Sequence, residues 1–97
     1  MESDVRTLFG KDGDVYDGNV LVSLQSKHNN SSINVELKRP RLRVSAVGVE
    51  FISNNSKACV SSLDIADTEV LEFDDYKSYH IEYDKSGIMI SVVFMAA

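Results

Sequence analysis

Apolar and polar residues alternate along this chain with a period of two, the spacing of a half-buried strand, rather than at the 3.6 spacing of a helix. In "SINVELK", Ile33, Val35 and Leu37 fall on one face and Asn34, Glu36 and Lys38 on the other. In "SYHIEYD", Tyr79, Ile81 and Tyr83 alternate with His80, Glu82 and Asp84. "NVLVSLQSK" separates Val20, Val22 and Leu24 from Leu21, Ser23 and Gln25. The cluster "HNNS" at 28–31 tolerates turn geometry, so the pattern predicts a hairpin of 19–27 with 32–39. "DKSG" at 84–87 divides two β-rich runs in the same way, with Gly87 free to take positive φ, and predicts a second hairpin of 78–83 with 88–95.

Pro40 lacks the N–H that a ladder needs and marks a strand end or an edge. In "LRVSAVGVEFIS", Leu42, Val44 and Ala46 share one phase, and Val47, Val49 and Phe51 share the other. A β-bulge beside Gly48 would return both sets to the core. "SNNSK" at 53–57 reads as a turn. The stretch 58–73 has no clean period and fits either strand, loop and strand or one helical turn at 62–68. The first ten residues fit a short amphipathic helix with Val5, Leu8 and Phe9 on one side. The last strand, "GIMISVVFM", is apolar on both faces, with Met89, Val93 and Met95 behind Ile88, Ile90, Val92 and Phe94. Such a strand is covered on both sides, by the N-terminal segment in the preferred reading or else by another chain. The expected fold is mostly β, an antiparallel meander or small sandwich of six or seven strands with a short N-terminal helix; α+β is the alternative.

Ninety-seven residues make a single domain, 1–97. The apolar fraction of 43% and the charged fraction of 26% are those of an ordinary globular chain. No apolar run reaches the roughly 20 residues of a membrane-spanning helix. "MESDVRTLFG" lacks the basic and apolar regions of a secretory signal, so a cytoplasmic protein is expected. The formal charge of −5 argues against nonspecific binding to nucleic acid and suits a partner of positive charge. The lone Cys59 cannot form an intrachain disulfide, and its neighbours in "KACVSSL" suggest a buried, inert thiol.

Little here resembles catalytic or metal chemistry. "KDGDVYDG" offers Asp12, Asp14 and Asp17, but counting from Asp12 puts Tyr16, Asp17 and Ser23 where an EF-hand loop needs an acid, a glycine and a glutamate. It reads as a turn. His28 falls in a turn and His80 on the polar face of a strand beside Glu82. No glycine-rich phosphate loop, HExxH or CxxC is present, so neither enzyme activity, metal nor cofactor is expected. Lys38, Arg39, Arg41 and Arg43 in "KRPRLR" form the only basic cluster. They lack the interleaved aromatics of a nucleic-acid platform and read as an exposed connection.

The acidic stretch is denser than any of these. Asp64, Asp67, Glu69, Glu72, Asp74, Asp75, Glu82 and Asp84 face one base, Lys77, a balance of −7 over residues 64–84. Tyr76, Tyr79 and Tyr83 are set among them, and tyrosines beside acids are the composition of a surface that meets a basic protein, although Tyr79 and Tyr83 lie in the apolar phase of their strand and equally fit the core. The candidate partner-binding residues are Asp67, Glu69, Glu72, Asp74, Asp75, Tyr76, Glu82 and Asp84. In style, "DGNVLVSL", "VGVEFIS" and "KSYHIEYDKSGIMISVVF" resemble the small acidic immunity proteins of bacterial polymorphic-toxin and contact-dependent inhibition systems. That resemblance implies a non-enzymatic cytosolic inhibitor that caps the basic active site of a toxin domain, commonly a nuclease, with the acids standing in for substrate phosphates. The alternative is an assembly module, such as a phage or secretion component, that self-associates through its C-terminal strand.

Overall fold

The alternating stretches pair as their periods require. The computed structural model describes residues 5–28, 30–83 and 87–96, and within them the chain forms a one-turn helix and eight strands. These are α1 (Val5–Leu8), β1 (Gly18–Ser26), β2 (Ser32–Lys38), β3 (Arg41–Ser45), β4 (Gly48–Ser53), β5 (Ser56–Ser61), β6 (Ile65–Glu72), β7 (Tyr76–Tyr83) and β8 (Ile88–Ala96). One antiparallel sheet has the order β2-β1-β8-β7-β6, and a second has the order β3-β4-β5. The chain lays down the β1–β2 hairpin, crosses at Arg39 and Pro40 to the small sheet, and returns for β6 to β8. The last strand then closes against the first.

Directly paired residues share a face of the sheet. Val20 pairs with both Leu37 and Phe94, Val22 with Val92, Leu24 with Ile90, and Ile81 with Ile90. These side chains form the inner face of the large sheet. Leu42, Val49, Phe51, Ala58 and Val60 form the facing layer on the small sheet, and together they make one core. Each fully buried aliphatic or aromatic side chain is worth about 1.5–3 kcal/mol of transfer free energy. At one end the core is aromatic. Phe94 has Phe9, Tyr16, Phe51 and Tyr79 around it with ring centroids 4.9–5.9 Å away. Val5 is fully buried, and Phe9 sits edge-on to Phe51 and Tyr79.

The mostly-β antiparallel fold is as expected, here a sandwich. Two local expectations change, and one open alternative is decided. The phase switch at Gly48 is a chain reversal rather than a bulge. Ala46 and Val47 form a turn, and Leu42 and Val44 on β3 pair with Phe51 and Val49 on β4. One expected strand is therefore two, which takes the number to eight. Gly48 has φ 155, and a Cβ there would meet the Val60 carbonyl oxygen. Residues 58–73 take the strand, loop and strand form, with no helical turn at 62–68. Finally, α1 docks on the inner side, so the described part of the N-terminal segment does not cover the second face of β8. Met89, Val93 and Met95 are half-buried on an outer face against which no described helix or strand packs.

Candidate functional site: the acidic β6–β7 hairpin

The acidic stretch folds as the β6–β7 hairpin at one margin of the large sheet. Asp74 and Asp75 form its turn, closed by Phe73 N donating to the Tyr76 carbonyl at 2.9 Å. The Asp75 carbonyl accepts from Ala96 N, which ties the tip to the end of β8. The rings of Phe73 and Tyr76 stack at 4.5 Å and remain 49% and 42% exposed.

Because the closing pair is hydrogen-bonded, alternation along the ladder fixes where every backbone group points. Leu71, Glu69 and Asp67, opposite Ser78, His80 and Glu82, direct their N–H and C=O groups at β7. Thr68, Val70 and Glu72, opposite Ile81, Tyr79 and Lys77, direct theirs away from the sheet. The Thr68 N–H is taken by the Asp67 carboxylate at 2.9 Å, beside a register shift between Ile65 and Asp67.

The proposed partner-binding residues share this hairpin but do not converge on one pocket. Asp67, Glu69 and Glu82 lie on the outer face, where Asp67 is directly opposite Glu82. Like charges so placed repel. Lys27 offsets part of this by an ion pair with Glu82 at 3.2 Å, both partners about half exposed. Glu72 lies in the inner phase opposite Lys77. The Lys77 ammonium sits 5.4 Å from the Tyr79 ring centroid, and its pKa is raised first by Tyr79 and to a lesser extent by Glu72. Asp74, Asp75 and Tyr76 form the tip. Asp84 lies outside the described residues. Tyr79 and Tyr83 take the inner phase of β7, the first buried and the second half-buried. Tyr79 is 4% exposed and donates to the Leu8 carbonyl at 3.3 Å. Tyr83 donates to the Ser61 carbonyl at 2.6 Å, and burial pushes its hydroxyl up to about 12.

The sequence reading missed the apolar part of this hairpin. Val70, Leu71 and Phe73 are all exposed among the acids. The signal was present as the broken period of "EVLEF". A strand with neither face fully buried is under no pressure to alternate.

The other candidates resolve into local roles. Asp12 Oδ1 accepts from Val44 N at 2.8 Å and Asp14 Oδ2 from Lys11 N at 2.9 Å, so "KDGDVYDG" is a turn whose carboxylates are already engaged. The basic cluster forms the crossover between sheets and flanks a concavity of about 570 Å³ lined by Lys38, Arg39 and Arg41. Its described ion pairs run from Arg39 to Asp17 and from Arg43 to Glu50, not to the acidic hairpin. Cys59 is exposed, against expectation, because Ala58 and Val60 take the inward phase of β5. Its thiol pKa is nevertheless raised, first by partial desolvation and then by its contact with the Glu50 carboxylate at 3.6 Å, so it stays a poor nucleophile. His80 is half-buried with its ring nitrogens each 3.1 Å from a serine hydroxyl, Ser78 and Ser91. A further cleft of about 800 Å³ opens between the sheets, lined by Leu24, Val47, Val60, Leu63, Tyr83 and Ile90 among others. No protein-family model matches the chain, and neither the curated proteins nor the solved structures contain a significant match to it.

Proposed function

We propose that this chain is a non-enzymatic binding protein that neutralises a basic protein partner, in its leading form an immunity protein that caps the active site of a nuclease-type toxin domain. The supporting observation is the β6–β7 hairpin, where acids at the margin and tip of the sheet surround an exposed, stacked Phe73–Tyr76 pair. A nuclease cleft is electropositive because it binds phosphates. Carboxylates presented on a rigid strand would occupy those positions, and their field would accelerate encounter. The aromatic pair would supply the apolar anchor that a charged rim alone lacks.

The test is association of the chain with its cognate partner, identified as the product of a neighbouring toxin gene. The expected outcome is an association rate that falls as salt rises, because screening limits steering to about 8 Å at physiological ionic strength. Reversal of Glu72, Asp74 and Asp75 to lysine should weaken binding and leave the fold intact. Reversal of Glu36, an exposed acid on β2, is the control. An acidic partner, or full binding and protection by the triple variant, would refute the reading.

Self-association is the second reading, favoured by the outer face of β8. This strand is paired on both sides, with β1 and with β7, so it offers no backbone edge. Assembly through it would use Met89, Val93 and Met95 with the neighbouring Leu21. A molar mass that rises with concentration and returns to the monomer in Val93→Lys would support it.

A further inference from the structure

A two-sheet sandwich has four margins, and this one treats them unequally. The outer margin of β3 is occupied by the loop before β1. Val15 bridges to Arg41, Gly13 N donates to the Leu42 carbonyl, and Leu42 N donates to the Asp14 carbonyl. The margin strand β5 is short and alternates small or polar outward residues with Ala58 and Val60. β2 carries both Glu36 and Lys38 and packs against β4 and β5. β6 differs from all three. Like β2 and β5 it has no strand on its far side among the described residues; what sets it apart is eight residues with three acids and no base.

The backbone N–H and C=O groups of Val70 and Glu72 point outward there, unpaired by the ladder. Val70 on the inner face and Leu71 on the outer face are 43% and 40% exposed, and the exposed Phe73 follows directly. The one buried side-chain oxygen without a hydrogen-bond partner among the described residues, Thr68 Oγ1, is on the same strand. A strand laid beside 68–72 would pair the free backbone groups and flank Val70 and Leu71 on both faces. An acidic patch alone would carry none of this; the open ladder and the apolar residues at its centre do.

We infer that β6 is a β-addition site whose occupant is an extended segment with basic residues in alternation. Charge selects that occupant. A second copy pairing edge to edge would bring Asp67, Glu69 and Glu72 of both chains together without a base, so the acids discourage self-pairing. A lysine- or arginine-bearing strand would meet the same carboxylates favourably. The inference deepens the proposed function by naming how the basic partner is held, and rests on it only for the partner's identity.

The test uses the full chain and a short end-capped peptide of alternating lysine and valine, with amide hydrogen exchange read residue by residue. At a peptide concentration ten times its Kd, the Val70 and Glu72 amides should exchange roughly tenfold more slowly, since protection follows 1 + [L]/Kd. The same peptide N-methylated at alternate amides keeps its charge but cannot extend a ladder, and should give no protection there. A glutamate–valine peptide should not bind. In the protein, Val70→Pro removes an outward N–H and no β6–β7 bond, so it should abolish peptide binding without unfolding the domain. Equal protection by the N-methylated peptide, protection elsewhere, or no protection at saturating peptide would overturn the inference. So would protection of Val70 and Glu72 that grows with protein concentration alone at low ionic strength, where the acids of two copies repel unscreened, which would make the occupant a second copy. The two proposals fail separately. A toxin bound with these amides still exchanging overturns the β-addition site and leaves the function. Peptide protection in a chain whose partner proves acidic does the reverse.

Discussion

Truncation of Phe94 tests the packing on which the site depends. Phe94 is on the inner face of β8, separated from β6 by β7, and is 7% exposed. Its ring meets those of Phe9, Tyr16, Phe51 and Tyr79, which come from the N-terminal segment, the loop before β1, the small sheet and β7. It therefore joins four parts of the chain that no single ladder connects. Phe94→Ala removes buried apolar area and leaves a cavity, which costs about 3–5 kcal/mol. Each lost ring pair adds roughly 0.5–1.5 kcal/mol beyond area, though partial collapse of neighbours recovers some of that. A value near 4 kcal/mol follows, a large share of the roughly 5–15 kcal/mol that holds a domain of this size together.

Urea denaturation followed by far-ultraviolet circular dichroism measures this directly. With a slope of about 1.5 kcal/mol per molar, 4 kcal/mol moves the midpoint down by about 2.7 M. If the parent midpoint is too low to lose that much, Phe94→Leu keeps the assay usable with a loss of roughly 1–2 kcal/mol. Phe9→Ala should cost less, because Phe9 is only half-buried and lies on a short segment. The double variant should lose about 0.5–1.5 kcal/mol less than the sum, since the rings stack on each other. A Phe94→Ala loss under 1 kcal/mol, or strict additivity with Phe9→Ala, would refute this packing of β8 and α1.

Other outcomes follow from single residues. Gly48→Ala should destabilise by about 2–4 kcal/mol in the same titration, because it combines a positive φ with a Cβ driven into the Val60 carbonyl. Tyr83 titrates at about 12 in the folded state against about 10 unfolded, so its contribution is intact below pH 10 and lost as pH rises toward 12. Thermal melts should fall over that window by more than those of Tyr83→Phe, with about 1–2 kcal/mol at stake once partial solvent screening is discounted. Asp12→Ala should cost about 1–2 kcal/mol by freeing the Val44 N–H, and Asp12→Asn less, because its amide oxygen still accepts. Millimolar calcium should leave the melting temperature of the parent unchanged; a rise that disappears in Asp14→Asn would refute the purely structural role.

The parts of the fold legible in the sequence are those where one face is buried and the other wet. Val20, Val22 and Leu24, and Tyr79, Ile81 and Tyr83, each fixed a strand to within a residue or two, because a one-residue slip would turn the whole set outward; Ile33, Val35 and Leu37 marked β2 as well, although only Leu37 is buried and Ile33 stays exposed. The β3–β4 hairpin was hidden for a physical reason. A bulge and a reversal both invert phase, and Ala46-Val47 carries none of the Asn-Gly or Asp-Gly chemistry that marks a tight turn. Cys59 was misplaced by composition, although the alternation of Ala58 and Val60 around it already pointed it outward. Charge density located the acidic hairpin. Alternation already turned Tyr79 and Tyr83 inward, but nothing in the pattern showed that Val70, Leu71 and Phe73 stay out, because that depends on β6 lying at the margin.

The same acids have two consequences of opposite sign. Within the chain they cost stability, since Asp67 faces Glu82, and among the described residues Lys27 beside Glu82 and Lys77 opposite Glu72 offset part of the hairpin's charge. Between chains they keep an open, partly apolar margin from pairing with its own kind. An edge that only needed protection would not also expose Val70 and Leu71 between its charges, because polar residues there would protect it better. An edge built only for affinity would not carry three acids and no base, because that charge penalises most surfaces it could meet. Both features together fit selectivity, in which the strand is left sticky and the charge decides to whom. Salt acts on the two halves in opposite directions. Screening weakens the attraction to a basic strand and also removes the repulsion between copies, so as ionic strength rises the free chain moves toward self-association while its hold on a basic partner loosens.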